Sequence, residues 1–164
     1  MNSVNLFYLT EECNMNCEYC YEKKSREQKK ELKTSTREEI IDFINNIIDR
    51  EGDSNSSIRL FGGEPLLYPE KALYFVEETL KRKPNTGLNL LTNGTRILDD
   101  KVFEYVKQMY TVTKGRMSFK FEISWDGSGH FRRSYNDGRP TRKDVEISMD
   151  RLCKSSLPFA VSYA

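Results

Sequence analysis

The chain has 164 residues, 31% of them charged and 37% hydrophobic, and its formal net charge is +1. This length suits one domain with a sizeable core and is short for two. The near-zero net charge gives no reason to expect nucleic acid or an anionic membrane as a partner. Lys and Arg cluster at 22–33, but the interleaved Glu residues indicate a solvated helix or loop face.

Neither a membrane helix nor a signal peptide is indicated by the sequence. No stretch approaches the roughly 20 apolar residues of a membrane span, and the N-terminus lacks a basic start followed by a long apolar run. We therefore expect a cytoplasmic protein. Thiols stay reduced there, so a disulfide framework is a poor explanation of the cysteines.

Segments with the pattern of strands alternate with segments of helical period along the chain. The predicted strands cover 3–9, 57–65, 88–94, 117–127 and 158–164. The predicted helices between them cover 35–50, 69–83, 99–110 and 141–155. Ser35 with Glu38 fits a capping box at the first helix. The alternation predicts parallel strands with right-handed crossovers, whose C-terminal ends collect the functional groups.

The last predicted strand, 158–164, brings the chain to its end. A closed eight-stranded barrel of this kind needs about 200 residues or more. A sheet that ends on a fresh strand has an unpaired edge, which favours aggregation. We therefore expect either a fragment of a longer protein or a partner that covers the edge.

Three of the four cysteines, Cys13, Cys17 and Cys20, form a C-x3-C-x2-C motif directly after the first strand. Thiolates bind zinc and iron–sulfur clusters. A structural zinc site needs four ligands, and the lone histidine, His130, keeps zinc open as an alternative. Cys153 lies far along the chain in a helical pattern and is interpreted as a small buried hydrophobe. Three close thiolates suit a [4Fe–4S] cluster with one iron left open for a small molecule, by the logic of an open catalytic metal position.

The cysteine motif, with the aromatic Tyr19 before its last cysteine, resembles that of the radical S-adenosylmethionine (radical SAM) enzymes. The resemblance implies that Cys13, Cys17 and Cys20 hold the cluster, that S-adenosylmethionine chelates the open iron, and that Tyr19 lies near the adenine. In that family the reduced cluster cleaves S-adenosylmethionine to a 5′-deoxyadenosyl radical, which abstracts a substrate hydrogen. The resemblance also implies a low-potential electron donor such as flavodoxin or ferredoxin.

The ends of the second and third strands add two motifs. In "FGGEP", Gly62 and Gly63 let the backbone approach a ligand closely, and Glu64 supplies a charged acceptor. The alternative is a tight turn with a surface Glu. The segment resembles the GGE motif of the family, which implies that it binds the methionine amino group. Asn93 in "LLTNGT" resembles the T-N-G element of the peptide-modifying branch and implies a cofactor contact; an ordinary Asn-Gly turn is the alternative.

The end of the fourth strand is similar to the S-x-D-G segment of that branch. The resemblance implies that Ser124 contacts the ribose of S-adenosylmethionine, that Asp126 belongs to the cofactor site, and that a downstream Arg pairs with the carboxylate. The position expected for that Arg is a serine here, so Arg133 and, less favoured, Arg132 are the nearest candidates. The planar fork of an arginine can hold a carboxylate through two hydrogen bonds. Trp125 should face away from its neighbours and pack against a helix.

Together these motifs predict an α/β fold, a partial (βα)6 TIM-like radical SAM barrel truncated after about the fifth strand, with residues 1–164 as one incomplete core domain. The resemblance is to the SPASM-type peptide and protein maturases, including anaerobic sulfatase-maturating enzymes. It implies hydrogen abstraction from a peptide or protein substrate. The auxiliary-cluster extension common in that branch is not present in this sequence. Two alternatives remain: a non-catalytic zinc- or cluster-binding module, and an inactive fragment of a radical SAM enzyme.

Overall fold

The computed structural model describes residues 3–29, 31–52, 56–113 and 119–163. Its strands are β1 (Ser3–Thr10), β2 (Ser56–Gly62), β3 (Gly87–Thr92), β4 (Phe119–Ser124) and β5 (Phe159–Ser162). Its α-helices are α1 (Lys23–Gln28), α2 (Arg37–Glu51), α3 (Pro69–Arg82), α4 (Asp100–Thr113) and α5 (Arg142–Lys154). The five predicted strands and the four predicted helices are confirmed within the described residues, and α1 lies within the basic segment. Positions 117, 118 and 164 of the predicted strands lie outside the described residues. In the described residues, no helix is both long and apolar enough to span a membrane.

The strands form one parallel sheet in the order β1-β2-β3-β4-β5. Sequence neighbours are therefore spatial neighbours, and each consecutive pair is joined through at least one helix. Repeated right-handed βα units of this kind build a barrel wall rather than a doubly wound sheet. The predicted class is confirmed: the chain forms five strands of a partial TIM-like barrel.

One face of the sheet carries the core, and the other face is open. Alternate residues of each strand point to opposite faces. Phe7 of β1 stacks on Phe75 of α3 with ring centroids 5.1 Å apart, within a core to which α2, α3, α4 and α5 all contribute. On the opposite face, Val4, Leu6 and Tyr8 of β1 are 64%, 53% and 41% exposed. This arrangement leaves the loops at the strand ends to form the site.

Helix α2 begins one residue later than the predicted capping box. Thr36 is the N-cap: its hydroxyl accepts from the Glu39 amide, and the Glu39 carboxylate accepts from the Thr36 amide. The pairing of Ser35 with Glu38 was therefore wrong. Both registers fit the sequence pattern, but the Ser35 hydroxyl instead donates to the Tyr8 carbonyl at 2.9 Å and anchors the loop to β1.

The prediction that Cys153 is buried was also wrong, since its side chain is exposed on α5. Helix α5 buries Val145, Ser148 and Leu152 along one stripe. Cys153 follows Leu152 by a single residue, which is a rotation of about 100° around the helix axis. That rotation carries the thiol off the buried stripe.

Candidate active site

The three cysteines of the loop after β1 line one cavity of about 320 Å³ at the C-terminal ends of the strands. Residues from the ends of β2, β3 and β4 complete its wall, as the parallel alternation predicted. The predicted site residues that line it are Cys13, Cys17, Tyr19, Cys20, Gly62, Gly63, Asn93, Ser124 and Arg133. A cavity of this size is in the range that holds small ligands.

Three half-buried thiols fit a metal cluster in their chemistry as well as their position. Burial raises the pKa of the Cys13 thiol to about 12, and burial also raises the pKa of Cys17. A buried thiolate needs a nearby positive charge. A bound metal provides that charge and deprotonates the thiol outright. The donor set therefore fits an iron–sulfur cluster held by three protein thiolates.

The zinc alternative is not assembled by the structure. His130 is fully buried; its Nε2 lies 3.2 Å from the Thr141 hydroxyl, and its ring packs against Trp125 with centroids 4.3 Å apart. Across the described ranges, no three side chains of His, Cys, Asp or Glu lie close enough to hold one metal ion. Trp125 itself packs against the core and the Arg142 guanidinium of α5, as predicted.

The two glycines at the end of β2 bring the backbone into close contact with the end of β1 and the start of the cysteine loop. The Gly63 amide donates to the Thr10 carbonyl at 2.8 Å, and the Glu64 amide donates to the Glu12 carbonyl at 2.7 Å. A Cβ on Gly62, whose φ is 142°, would lie 2.2 Å from the Thr10 oxygen, and one on Gly63 would lie 2.0 Å from the Glu12 oxygen. The close approach that these glycines permit is thus to the chain's own backbone, and both residues also line the cavity.

The Glu64 side chain is fully buried, which rules out the alternative of a surface Glu. Its carboxylate accepts three hydrogen bonds: from the Leu66 amide at 2.9 Å, the Thr92 hydroxyl at 2.7 Å and the Asn93 amide at 2.7 Å. Burial raises the pKa of Glu64, and the three donors act in the opposite direction. The carboxylate therefore fastens the end of β3 to the end of β2.

Asn93 links the third strand end to the cysteine loop. Its side-chain amide donates to Asn14 at 2.9 Å, and its side-chain oxygen accepts from the Thr95 amide and hydroxyl at 3.0 and 2.8 Å. Asn14 in turn donates to the Thr95 hydroxyl at 2.9 Å. The sequence motif located Asn93 but did not indicate Asn14, because an asparagine between two cysteines carries no signal of its own.

The end of β4 carries a buried ion pair beside the cysteine loop. Arg133 holds Asp126 bidentately, with Nε and Nη2 at 2.7 and 2.8 Å from the carboxylate oxygens. The Tyr19 hydroxyl donates to the same carboxylate, which ties the cysteine loop to β4. Both guanidinium groups lie over the Tyr19 ring, that of Arg132 at 4.7 Å and that of Arg133 at 5.3 Å from its centroid, but only Arg133 is buried and lines the cavity. Of the two candidate arginines, Arg133 is the one in the cavity wall.

The sequence analysis did not predict that Arg26 is a cavity residue. Arg26 of α1 lines the cavity, and its Nη2 lies 3.4 Å from the Cys20 sulfur. The segment that contains it looked like a solvated face because its charges are mixed. The signal that would have located it is the position of a cation one and a half helical turns beyond the last cysteine.

The family model described as the radical SAM superfamily matches residues 7–163. The chain belongs to the radical SAM superfamily. Membership, together with the S-adenosylmethionine-bound structures that share the fold, supports S-adenosylmethionine and a [4Fe–4S] cluster as the cofactors of this radical SAM chain.

Two curated relatives match this chain. An uncharacterized protein of Methanocaldococcus jannaschii is 28% identical over 159 residues, which cover 94% of this chain and 50% of the relative. The 7-carboxy-7-deazaguanine synthase of Methanothermobacter thermautotrophicus is 37% identical over 83 residues, which cover 51% of this chain and 30% of that enzyme. The radical SAM chain thus spans half or less of the length of both relatives.

Two solved structures show the same fold. Native anSMEcpe, with bound S-adenosylmethionine and the Cp18Cys peptide, superimposes with a TM-score of 0.75 at 20% identity, covering 98% of this chain and 42% of that one. BtrN, in complex with S-adenosylmethionine and 2-DOIA, gives a TM-score of 0.60 at 19% identity, covering 98% of this chain and 57% of that one. At these identities the likeness establishes the fold.

Proposed function

We propose that this chain is the radical-generating part of an enzyme that reductively cleaves S-adenosylmethionine and abstracts hydrogen from a peptide or protein substrate. The observation that carries the proposal is the convergence of three thiols with the ends of β2, β3 and β4 on one cavity. When bound, the cluster and S-adenosylmethionine supply the hydrogen-abstracting radical. The electron comes from a low-potential donor, for which we propose a flavodoxin or a ferredoxin.

The chain's own residues would bind and orient the cofactor. Arg133 is the candidate for its carboxylate, because Asp126 fixes the guanidinium in the cavity wall through Nε and Nη2. The remaining donor nitrogen is then pre-oriented, so little rotamer entropy is lost on binding. Ser124 lines the same cavity from the end of β4 and is the candidate for the ribose. Glu64 acts indirectly, by holding the Asn93 backbone in place.

Three observations support a peptide substrate. The fold is shared with anSMEcpe in its complex with the Cp18Cys peptide, and the T-N-G element of the peptide-modifying branch lies at the cavity. The open face of the sheet also offers an apolar surface: the Tyr8 ring lies 4.1 Å from that of Phe61, which lines the cavity. Val4 and Leu6 extend this surface along β1. Such a stripe suits the side chains of an extended peptide.

The test is anaerobic reconstitution with iron and sulfide, followed by reduction with dithionite in the presence of S-adenosylmethionine. We expect a brown [4Fe–4S] protein whose EPR spectrum changes on addition of S-adenosylmethionine and which forms 5′-deoxyadenosine. The matched control is a variant in which the three loop cysteines are alanine. Colourless protein that binds one zinc ion and forms no 5′-deoxyadenosine would contradict the proposal and favour the metal-binding module.

The substrate class is tested separately with a cysteine-containing peptide such as Cp18Cys. A change in peptide mass that accompanies 5′-deoxyadenosine formation supports a peptide-modifying enzyme. Formation of 5′-deoxyadenosine without any change in the peptide is the result expected of a fragment that generates the radical but lacks a complete substrate pocket.

A further inference from the structure

Arg26 is held against the cysteine loop by a short helix. Helix α1 begins directly after the motif, where the Lys23 amide donates to the Cys20 carbonyl at 3.1 Å, and the Arg26 amide donates to the Glu22 carbonyl at 2.9 Å. This helix buries none of its residues, so it does not serve the core. The helix instead places the Arg26 guanidinium at the cavity, with its Nη2 3.4 Å from the Cys20 sulfur.

The charge of Arg26 is directed at sulfur and not at a carboxylate. The other arginine of the cavity, Arg133, is neutralised by its bidentate pair with Asp126. Within the part of the chain that the structure describes, no carboxylate forms an ion pair with Arg26, and its side-chain hydrogen bond goes to Cys20.

We propose that Arg26 is a positioning residue that raises the reduction potential of the cluster through an N–H···S hydrogen bond to Cys20. The inference rests on the proposed function, since it requires the cluster to be held by the loop cysteines. Reduction transfers one electron from the low-potential donor to the cluster, whose net charge falls by one. Hydrogen bonds to the ligating sulfurs, together with nearby charge, set the potential of such clusters.

The size of the effect follows from the type of bond. With a cluster bound, Cys20 is a thiolate, so the contact becomes a charge-assisted hydrogen bond, which is roughly twice as strong as a neutral one. The bond strengthens further when the electron arrives, because the negative charge is shared with the sulfurs. Without the donor, the ratio of reduced to oxidised cluster at a fixed potential should fall by about tenfold.

The experiment is an EPR-monitored redox titration of the reconstituted protein without S-adenosylmethionine. Arg26→Met, which keeps the length of the side chain and removes both charge and donors, should lower the midpoint potential. The matched control is Lys24→Met on the same helix, which removes an exposed cation that does not line the cavity and should leave the potential unchanged. Iron content measured in parallel separates a shift in potential from loss of the cluster.

A wild-type midpoint potential in Arg26→Met would overturn the inference and leave the proposed function intact. An equal drop in Lys24→Met would also overturn it, because the effect would then be one of general charge. If Arg26→Met fails to assemble a cluster, Arg26→Leu takes its place with the same expectation, because it also removes both charge and donors, and failure of both would show that Arg26 acts in assembly and not in tuning. Failure of the wild-type protein to hold a cluster would instead contradict the proposed function itself.

Discussion

The substitution Glu64→Gln keeps the shape of this buried side chain but removes its charge and one of its two acceptor oxygens. The two oxygens of Glu64 divide three donors: Oε1 accepts from Leu66 and Thr92, and Oε2 accepts from the Asn93 amide. A glutamine can keep its oxygen on the first two donors. Its NH2 group must then face the Asn93 N–H, so one bond is lost and two donors oppose each other in a fully buried site.

The expected loss in the free energy of unfolding follows from the number of buried donors left without an acceptor. A buried donor left without an acceptor costs about 1–3 kcal/mol, so Glu64→Gln should lower the free energy of unfolding by about that amount. Glu64→Ala leaves all three donors unpaired and opens a cavity, so its cost should be roughly 3–6 kcal/mol. Because a domain of this kind is stable by only about 5–15 kcal/mol, the alanine variant should be close to unfolding.

Urea denaturation of the cluster-free protein measures both variants on one scale, and calorimetric titration with S-adenosylmethionine after reconstitution measures their affinity. We expect weaker binding with unchanged iron content in Glu64→Gln, since the cysteines are untouched. The control is Glu104→Gln on α4, which breaks an exposed ion pair with Lys107 and should change stability by less than about 0.5 kcal/mol. Wild-type stability in Glu64→Gln would refute the role of the carboxylate as a clamp on Asn93.

The remaining predictions concern the thiols, the arginines and the buried histidine. Alanine at any one of the three loop cysteines should abolish the cluster, whereas Cys153→Ala should keep full iron content; loss of iron in the latter would contradict the three-ligand site. Arg133→Lys should weaken S-adenosylmethionine binding more than Arg132→Lys, because an ammonium cannot reproduce the fork that Asp126 holds, and calorimetry giving the reverse order would assign the carboxylate to Arg132. Burial lowers the pKa of His130 below its unfolded value of about 6.5. The unfolded state therefore binds more protons below that pH, and the free energy of unfolding should fall as the pH drops from 7.5 to 5.5; an unchanged slope in His130→Gln would show that another group is responsible.

The histidine prediction depends on a tautomer that the hydrogen bonds fix. The Thr141 hydroxyl donates to the Arg133 carbonyl at 3.2 Å, so it is left as an acceptor for the N–H of His130 Nε2. His130 Nδ1 is then the unprotonated nitrogen, and it is buried without a hydrogen-bond partner. Protonation there would bury a new charge and place it beside the Arg133 guanidinium, and both effects lower the pKa of His130.

The fold and the position of the site were predictable because their signals are local or follow from topology. Apolar runs located the strands, and parallel strands align their C-terminal ends, so motifs such as Cys13–Cys20, Gly62–Gly63 and Ser124 had to meet at one rim. The prediction for Cys153 failed because one residue of helical rotation decides whether a side chain is buried. A helical sequence pattern does not resolve that rotation.

The sequence did not predict the side-chain and backbone contacts that assemble the site. Two donors to Glu64, the Thr92 hydroxyl and the Asn93 amide, lie 28 and 29 residues beyond it in the sequence. No local pattern pairs them with that carboxylate. The guanidinium of Arg26 lies six residues after Cys20, but its return to the sulfur depends on how α1 is oriented against the loop. The GGE motif was recognised as a motif, yet the packing of its glycines against Thr10 and Glu12 depends on the β1–β2 register.

Because of that packing, hydrogen exchange at two backbone amides reports whether the cysteine loop is held in place. The Gly63 and Glu64 amides donate to carbonyls at the start of the loop, continuing the β1–β2 ladder beyond the strands. When a cluster ties the loop down, local opening of these bonds becomes rarer, because ligand binding adds to the free energy of every opening that releases the ligand. Hydrogen exchange at Gly63 and Glu64 should therefore slow on cluster binding, while exchange in the middle of β3 stays the same, and it would follow occupancy of the site in solution without any measurement of turnover.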